Sequence, residues 1–345
     1  MRQSLALVRQ VAALIVALGI TAASSGAQSY RVAATHLIGG DGGWDYVALD
    51  TVGRRLFIAR NDRVLVVDEA SGKLLGEIPG FKRAHGLAFD YAARRGFATS
   101  GEDSSVVVFN LDGLAVIKRV HADDDADAIL FDPATKHVFT MNGDAGTSSV
   151  IDPTTGTRIA SIPLGGKPEY GVSDGHGRVF INLEDKAEIV EIDAARKTVV
   201  RHWSIAPCES PTGLAIDVEH RRLFSGCRNK MIAISDASAG TLVTTTAAGS
   251  GIDANRFDPG TQLAFSSNGD GSITVVHEDS PGSYRVIQTV TTMPGARTME
   301  LDTRTHRMYT VTAKMGPQPA APTKDNPRRR PPVLSGTFSL IVLER

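Results

Sequence analysis

The sequence predicts an all-β fold, a seven-bladed β-propeller of four-stranded blades, and three observations predict it. One pattern occurs seven times along the chain: a polar residue, alternating small and apolar residues, an Asp, a short turn and an apolar pair. Successive copies are about 40 to 44 residues apart, the length of one four-stranded blade. The 345 residues include 34 Gly and 16 Pro, which indicates many tight turns.

Each copy of the pattern is anchored by one Asp and one aromatic residue. The Asp is followed seven residues later by the aromatic, or six later in the fourth copy. A copy divides into four short strands, which in the first are "DYVALD", "RRLFIA", "RVLVVD" and "KLLGEIP". The Asp positions are Asp50, Asp90, Asp132, Asp174, Asp217, Asp258 and Asp302, and the aromatics are Phe57, Phe97, Phe139, Phe180, Phe224, Phe265 and Tyr309.

The two chain ends are predicted to share one blade. After Asp302 the chain supplies only a second strand, "RMYTVTA", and a third, "TFSLIVLER". The segment "YRVAATHLI" near the N-terminus resembles the fourth strands of the other copies. We therefore expect it to complete the last blade and close the ring, which removes two open sheet edges.

Residues 1–27 are predicted to be a secretory signal peptide. Arg2 and Arg9 precede the apolar run "VAALIVALGI", and small residues follow it. The alternative is a membrane anchor, but the run has about a dozen residues and a spanning helix needs ~20. The predicted domain is residues 28–345, with a Pro-rich insertion at 314–336, located in the periplasm or secreted, and with no membrane span in the mature chain.

The "NGD" turns at Asn142–Asp144 and Asn268–Asp270 make the repeat similar to one known family. The region Tyr30–Arg345 resembles the YncE-like, YVTN-repeat β-propellers, which are exported bacterial proteins. The resemblance implies the fold and the compartment. The turns "ARND", "TSGED" and "NLED" depart from the family's consensus, and no catalytic residue is carried over.

A polar ring is predicted at the mouth of the central channel. The first strand of a propeller blade is innermost, and the position five residues before each repeat Asp lies at its head. Six of the seven residues in this column can ionise. The column is Asp45, His85, Asp127, Glu169, Thr212, Asp253 and Arg297.

The ring is net negative, and three interpretations of it stay open. Its carboxylates Asp45, Asp127, Glu169 and Asp253 could hold a divalent cation as cofactor. A cationic or polar organic ligand could bind there instead, with Arg297 and His85 contacting its acidic part. The third interpretation is an internal salt-bridge network with ordered water.

The leading functional prediction is a binding or scaffold protein whose partner, a small molecule or a protein, binds at this mouth. The alternative is a metal-dependent enzyme of lactonase or lyase type, by analogy with other propellers. In that enzyme His85 or Glu169 would be the general base and Arg297 would stabilise an oxyanion or enolate.

Several features outside the ring also carry predictions. Cys208 and Cys227 should face each other across one blade and form a disulfide, with a thiol nucleophile or soft-metal pair as the alternative. The run "HADDDAD", His121 to Asp127, is interpreted as a solvated acidic loop. The turn histidines are interpreted as exposed residues without a role: His137, His176, His220 and His306.

The insertion and the overall charge complete the prediction. The Pro-rich insertion should lie on the mouth side as a lid, as a spacer, or as a segment that presents Arg328 to Arg330 to a partner. The formal net charge of −1 argues against a nucleic-acid partner. We expect a monomer.

Overall fold

The computed structural model describes residues 29–323, 329 and 331–345, and its strands form seven four-stranded antiparallel sheets. The predicted all-β, seven-bladed β-propeller is confirmed. The predicted signal peptide, residues 1–27, lies outside the described residues. Within the described part of the chain, no helix is long and apolar enough to cross a membrane.

The strands of each blade are given in order from the innermost to the outermost. Blade 1 contains β2 (Val47–Asp50), β3 (Arg55–Arg60), β4 (Arg63–Asp68) and β5 (Leu74–Pro79). Blade 2 contains β6 (Ala84–Asp90), β7 (Arg95–Ser100), β8 (Ser105–Asn110) and β9 (Val116–His121), with a 3₁₀ turn at Gly101–Asp103. Blade 3 contains β10 (Ala126–Asp132), β11 (His137–Asn142), β12 (Thr147–Asp152) and β13 (Thr157–Pro163). Blade 4 contains β14 (Pro168–Ser173), β15 (Arg178–Leu183), β16 (Glu188–Asp193) and β17 (Thr198–Ser204).

The remaining blades follow the same order. Blade 5 contains β18 (Pro211–Asp217), β19 (Arg222–Cys227), β20 (Met231–Asp236) and β21 (Thr241–Ala247). Blade 6 contains β22 (Ile252–Asp258), β23 (Leu263–Asn268), β24 (Ser272–Ser280) and β25 (Ser283–Thr291). Blade 7 contains β26 (Met299–Asp302), β27 (Arg307–Thr312), β28 (Ser339–Glu344) and, as its outermost strand, β1 (Arg31–Leu37).

The ring closes through the two chain ends, as predicted. Strand β1 pairs antiparallel with β28, from Arg31 opposite Glu344 to Leu37 opposite Ser339. The innermost strands contact one another around a complete circle, and β26 of blade 7 contacts β2 of blade 1. The N-terminal strand therefore completes the last blade.

The hydrophobic core lies between neighbouring blades rather than at one centre. Phe57 of blade 1 stacks on Phe109 of blade 2, with ring centroids 5.7 Å apart. All seven repeat aromatics are fully buried. Each blade buries its faces against the next one, so the repeat aromatic is required in every copy.

The repeat Asp organises the turn between the first and second strands. The Oδ1 atom of Asp50 accepts hydrogen bonds from the backbone N–H groups of Val52 and Gly53, at 3.1 and 2.9 Å. Its Oδ2 atom accepts one from Arg55 at 2.6 Å. These contacts make an Asx turn, which explains why Asp recurs at this position.

Candidate functional site

The predicted ring lines a funnel-shaped cavity at the mouth of the channel. The cavity volume is about 370 Å³. Six ring residues line it: Asp45, His85, Asp127, Glu169, Asp253 and Arg297. Thr212 is buried, and its hydroxyl donates to the carbonyls of Gly226 and Ile252. The ring position in blade 5 is therefore structural.

Local irregularities of the inner strand coincide with the ring residue in five of the blades. In blades 2 to 6 the pairing between the first and second strands shifts register across the ring residue. In blade 2, for example, the shift lies between Ala84 and Leu87 and includes His85. An extra residue in one strand re-aims a side chain, and such bulges are common beside functional sites.

His85 joins two of the ring carboxylates. Its Nδ1 atom contacts Oδ2 of Asp45 in a short hydrogen bond and lies 3.4 Å from Oδ1 of Asp127. Burial alone lowers the pKa of His85, but the hydrogen bond to Asp45 and the charge of Asp127 outweigh it and raise the pKa. The imidazolium is therefore stabilised between two carboxylates.

The other nitrogen of His85 is enclosed by protein. Its Nε2 atom is buried and has no hydrogen-bond partner among the described residues. It packs against Gly101, where an added Cβ would come within 3.0 Å of Nε2. Nε2 is thus held away from a ligand in the funnel, and Nδ1 is engaged by Asp45 and Asp127, so this geometry gives His85 a positioning role towards these two carboxylates.

Arg297 neutralises the opposite side of the ring. Its guanidinium lies 3.3 Å from Oδ1 of Asp253 and 3.9 Å from Oδ1 of Asp45. The charge of Asp253 is the main reason that the pKa of Arg297 is raised. Asp45 and Asp253 therefore both have a cationic neighbour.

Asp127 and Glu169 are the ring carboxylates that lack a full counter-charge when they are ionised. Burial, together with Asp45, raises the pKa of Asp127 to about 7, although His85 opposes the shift. Burial and the charge of Asp127 raise the pKa of Glu169 to about 8. Within the described residues, Glu169 makes no hydrogen bond or close ion pair. A cation placed here would stabilise both carboxylates.

The structure groups the predicted metal ligands differently from the sequence analysis. Ligand atoms of Asp45, His85 and Asp127 all lie within 4.8 Å of one another. Glu169 and Asp253, the other two carboxylates of the predicted set, lie outside this group. The donor set of one imidazole and two carboxylates suits a zinc-class ion better than calcium.

A second layer of charged residues, which was not predicted from the sequence, surrounds the ring. The layer consists of Arg83, Asp125, Lys167, Glu184 and Arg228. Arg83 lies 3.8 Å from Asp125, while Lys167 and Arg228 approach the same Glu184 at 3.3 and 2.9 Å. Two cations sharing one carboxylate leave excess positive charge at the rim.

Two further repeat columns could have identified this layer. Arg83, Asp125 and Lys167 each lie two residues before a ring residue, and Glu184 and Arg228 each follow a second strand. Asp125 belongs to the run that we interpreted as a solvated loop. That interpretation was incomplete, because the loop leads directly into the inner strand β10 and places Asp125 against the funnel.

Aromatic and charged residues lie next to the ring on the inner strands. Tyr46 lines the funnel and stacks on Tyr170, with ring centroids 5.6 Å apart. Arg256 lies over the ring of Tyr170 and donates two hydrogen bonds to Glu300, at 2.8 and 3.2 Å. This deeper pair was not among the residues predicted from the sequence. This pair lies deeper because opposite charges on adjacent inner strands, β22 and β26, satisfy each other.

The Pro-rich insertion borders one side of the mouth. Met315, Pro331 and Val333 line a cavity of about 370 Å³ together with Trp44 and Arg297. The neighbouring blade positions there are Gly269 and Gly295, which provide no side chain. The insertion therefore lies on the predicted side, beside Arg297. Of the predicted basic run, Arg328 and Arg330 lie outside the described residues.

A larger recess of about 780 Å³ lies at the other end of the channel. Phe89, Tyr91 and Phe131 line it, with Asp90 and Lys136 as its charged residues. Asp90 already accepts a hydrogen bond from the backbone of its own turn. The recess has no converging polar groups, so the smaller funnel is the better candidate site.

The predicted disulfide between Cys208 and Cys227 is confirmed. Both cysteines are buried, and their Cα atoms are 5.3 Å apart. The bond ties the loop before β18 to the end of β19 at the mouth face. No cysteine of the described residues is free, so the thiol alternatives do not apply.

A scan against protein-family models and a search of curated protein sequences each found no match to the chain. The function must therefore be inferred from the chemistry of the funnel.

Proposed function

We propose that the chain is an exported, YncE-like binding protein whose funnel holds a small zwitterionic ligand. The observation that carries the proposal is the pair of carboxylates Asp127 and Glu169, which face the cavity without a full counter-charge. A ligand ammonium group would supply that charge in an enclosed site, where the attraction is stronger than in water.

The second charged layer supports an acidic group on the same ligand. Lys167 and Arg228 share Glu184, so a ligand carboxylate at the rim would find partly unused positive charge. An ammonium group towards Asp127 and Glu169 and a carboxylate towards Lys167 and Arg228 fit this polarity. The cavity volume of about 370 Å³ suits a small molecule.

Export to the periplasm or secretion is part of the proposal. The signal-like composition of residues 1–27 and the disulfide between Cys208 and Cys227 support it. The seven-bladed repeat is consistent with the YncE-like family.

A metal-dependent enzyme of lactonase or lyase type is a second candidate, favoured by the group of Asp45, His85 and Asp127. These residues could hold a divalent ion that polarises a substrate carbonyl. Since Nε2 of His85 is enclosed and Nδ1 faces the two carboxylates of this group, Glu169 is the better candidate for the general base, with Arg297 near the developing negative charge.

The proposal is tested by calorimetric titration at pH 8.5 with ω-amino acids of increasing chain length, from glycine to 6-aminohexanoate. One length should bind best, and its hydroxy-acid analogue, which lacks the ammonium group, should bind at least about tenfold more weakly. Glu169→Gln should lower the affinity similarly. Asp62→Asn, at an exposed mouth-side acid paired with Arg63, should not.

Two outcomes would contradict the zwitterion proposal. Equal binding of the hydroxy acid, or full affinity in Glu169→Gln, would remove the role of the carboxylates. Elemental analysis of the same protein distinguishes the second candidate. Near-stoichiometric divalent metal that is lost in Asp127→Asn, but retained in Asp62→Asn, would favour the metal-dependent enzyme.

A further inference from the structure

A second group of ionisable side chains lies on the face opposite the funnel, between blades 5 and 6. The Nδ1 atom of His220 is 2.7 Å from Oδ2 of Asp217 and 3.5 Å from Oε1 of Glu278. Asp217 is 1% exposed and Glu278 is 3% exposed. Two buried carboxylates thus meet at one half-exposed imidazole.

The three side chains converge without forming the hydrogen bonds that would satisfy them. Asp217 Oδ2, His220 Nδ1 and Glu278 Oε2 are buried atoms without a hydrogen-bond partner among the described residues. The short contact between His220 and Asp217 therefore lacks hydrogen-bond geometry. In contrast, His306 in the equivalent turn of blade 7 makes a hydrogen bond of 2.6 Å to Asp258.

Blade 1 has a buried Glu at the equivalent position, and there its negative charge is compensated. Glu69 and Glu278 both follow the body of a third strand, and their N–H groups bond to the carbonyls of Arg54 and Gln262 respectively. In blade 1 the guanidinium of Arg54 forms an ion pair with Glu69. In blade 6 the corresponding residue is Gln262, which is neutral, so the positive charge is missing at Glu278.

The other polar groups near Glu278 do not supply the missing positive charge. The hydroxyl of Tyr284 is 3.4 Å from Oε1 of Glu278 and also donates to the carbonyl of Pro281. Arg222 is paired with Asp236 at 2.9 Å and donates to the carbonyl of Pro281 at 2.7 Å. Among the described residues, His220 is the ion-pair partner of both buried carboxylates.

We propose that Asp217, His220 and Glu278 bind one divalent metal ion of the zinc class. All three ligand atoms lie within 4.8 Å of one another, and zinc takes imidazole nitrogen and carboxylate oxygen at about 2.0–2.2 Å. Magnesium and calcium prefer oxygen ligands alone. The ion joins the turn of blade 5 to the third strand of blade 6, so its role is to hold two blades together.

The test is a calorimetric titration of chelator-treated protein with ZnCl₂, followed by thermal unfolding with and without the ion. The Asp127→Asn background weakens the funnel group, so that one site remains to be measured. We expect one equivalent of Zn²⁺ to bind in that background and to raise Tm, and MgCl₂ to do neither. Glu278→Gln, which keeps the shape of the side chain, should lower the Zn²⁺ affinity by at least about 10-fold, because even residues that only orient a metal ligand are worth about 10- to 100-fold.

His220→Ala and His306→Ala are the matched pair of controls. Both imidazoles are partly exposed, so both variants should fold, which circular dichroism checks. The proposal requires that zinc binding is lost in the first and retained in the second. Absence of saturable zinc binding, or unchanged binding in both His220→Ala and Glu278→Gln, would overturn it.

Discussion

At the scale of single residues, the ionised forms of Asp127 and Glu169 are unfavourable in the funnel. Both pKa values are raised, to about 7 and about 8, chiefly by burial. An acid whose pKa is higher in the folded state stabilises the fold at low pH, and this contribution is lost as the pH rises through the folded pKa. These two residues therefore make the protein less stable as the pH rises from about 4, where the unfolded carboxyl groups ionise, to about 8.

Glu169→Gln should remove part of this pH dependence. At pH 9 the variant should be more stable than the natural chain by about 1–2 kcal/mol, because an ionised carboxylate is replaced by a neutral amide. At pH 4 the two should differ little, since Glu169 is then largely protonated in both the folded and the unfolded chain. Thermal unfolding across this pH range measures the effect. Glu77→Gln, at a largely exposed acid, is the control and should show no such pH dependence. A lower Tm for Glu169→Gln at pH 9 would contradict the prediction.

The sequence predicted individual site residues only where the repeat itself revealed their position. Counting back from each Asp found the six ring residues that line the funnel. It could not show that Nε2 of His85 is enclosed, which depends on the packing of Gly101. It also misjudged His220, because the partner Glu278 comes from the next blade and is 58 residues away in the sequence.

At the scale of secondary-structure elements, the mouth is held by the strand heads and by one covalent link. The disulfide between Cys208 and Cys227 fixes the loop that enters β18, next to the structural Thr212. The predicted pairing followed from the antiparallel order of β18 and β19. The register shifts at the ring residues did not, because a bulge changes the direction of a side chain without leaving a clear mark in the apolar pattern.

The double variant Cys208→Ala/Cys227→Ala should be less stable by about 3 kcal/mol, from the lost constraint on a loop of this size. Thermal unfolding of the oxidised natural chain, the reduced chain and the variant measures the difference. The reduced chain should resemble the variant. An unchanged Tm in both would show that the surrounding contacts, including Trp203 and Ile205, hold the loop without the bond.

At the scale of the whole molecule, stability depends on closing the ring through β1. This strand is mostly exposed, yet it covers the edge of β28, and Tyr30 beside it is buried against Phe265 of blade 6. The blade count, the strand order and this closure were all predicted, because seven similar copies leave one strand missing at the C-terminus and one extra at the N-terminus. The presence of charged residues deeper in the channel was not predicted, because it depends on which inner strands are neighbours.

A chain that lacks residues 29–37 should expose the β28 edge and form oligomers. Its Tm should fall by more than that of Arg31→Ala, which removes only an exposed ion pair with Glu344 and should cost at most about 1 kcal/mol. Size-exclusion chromatography and thermal unfolding measure both effects. A monomer of unchanged Tm would show that the ring does not need the closing strand.

Because the two chain ends share the last blade, its strands can pair only late in synthesis. The strand that is synthesised first is placed last, because its partner β28 consists of residues 339–344. Until the C-terminus emerges, β1 has no neighbour in its own blade, and the growing stack of blades ends in an unpaired edge. Contacts between such distant residues form slowly, and unpaired edges bind other chains during that interval. We therefore expect the incomplete ring to be most prone to association with other chains until residues 339–344 can pair with β1.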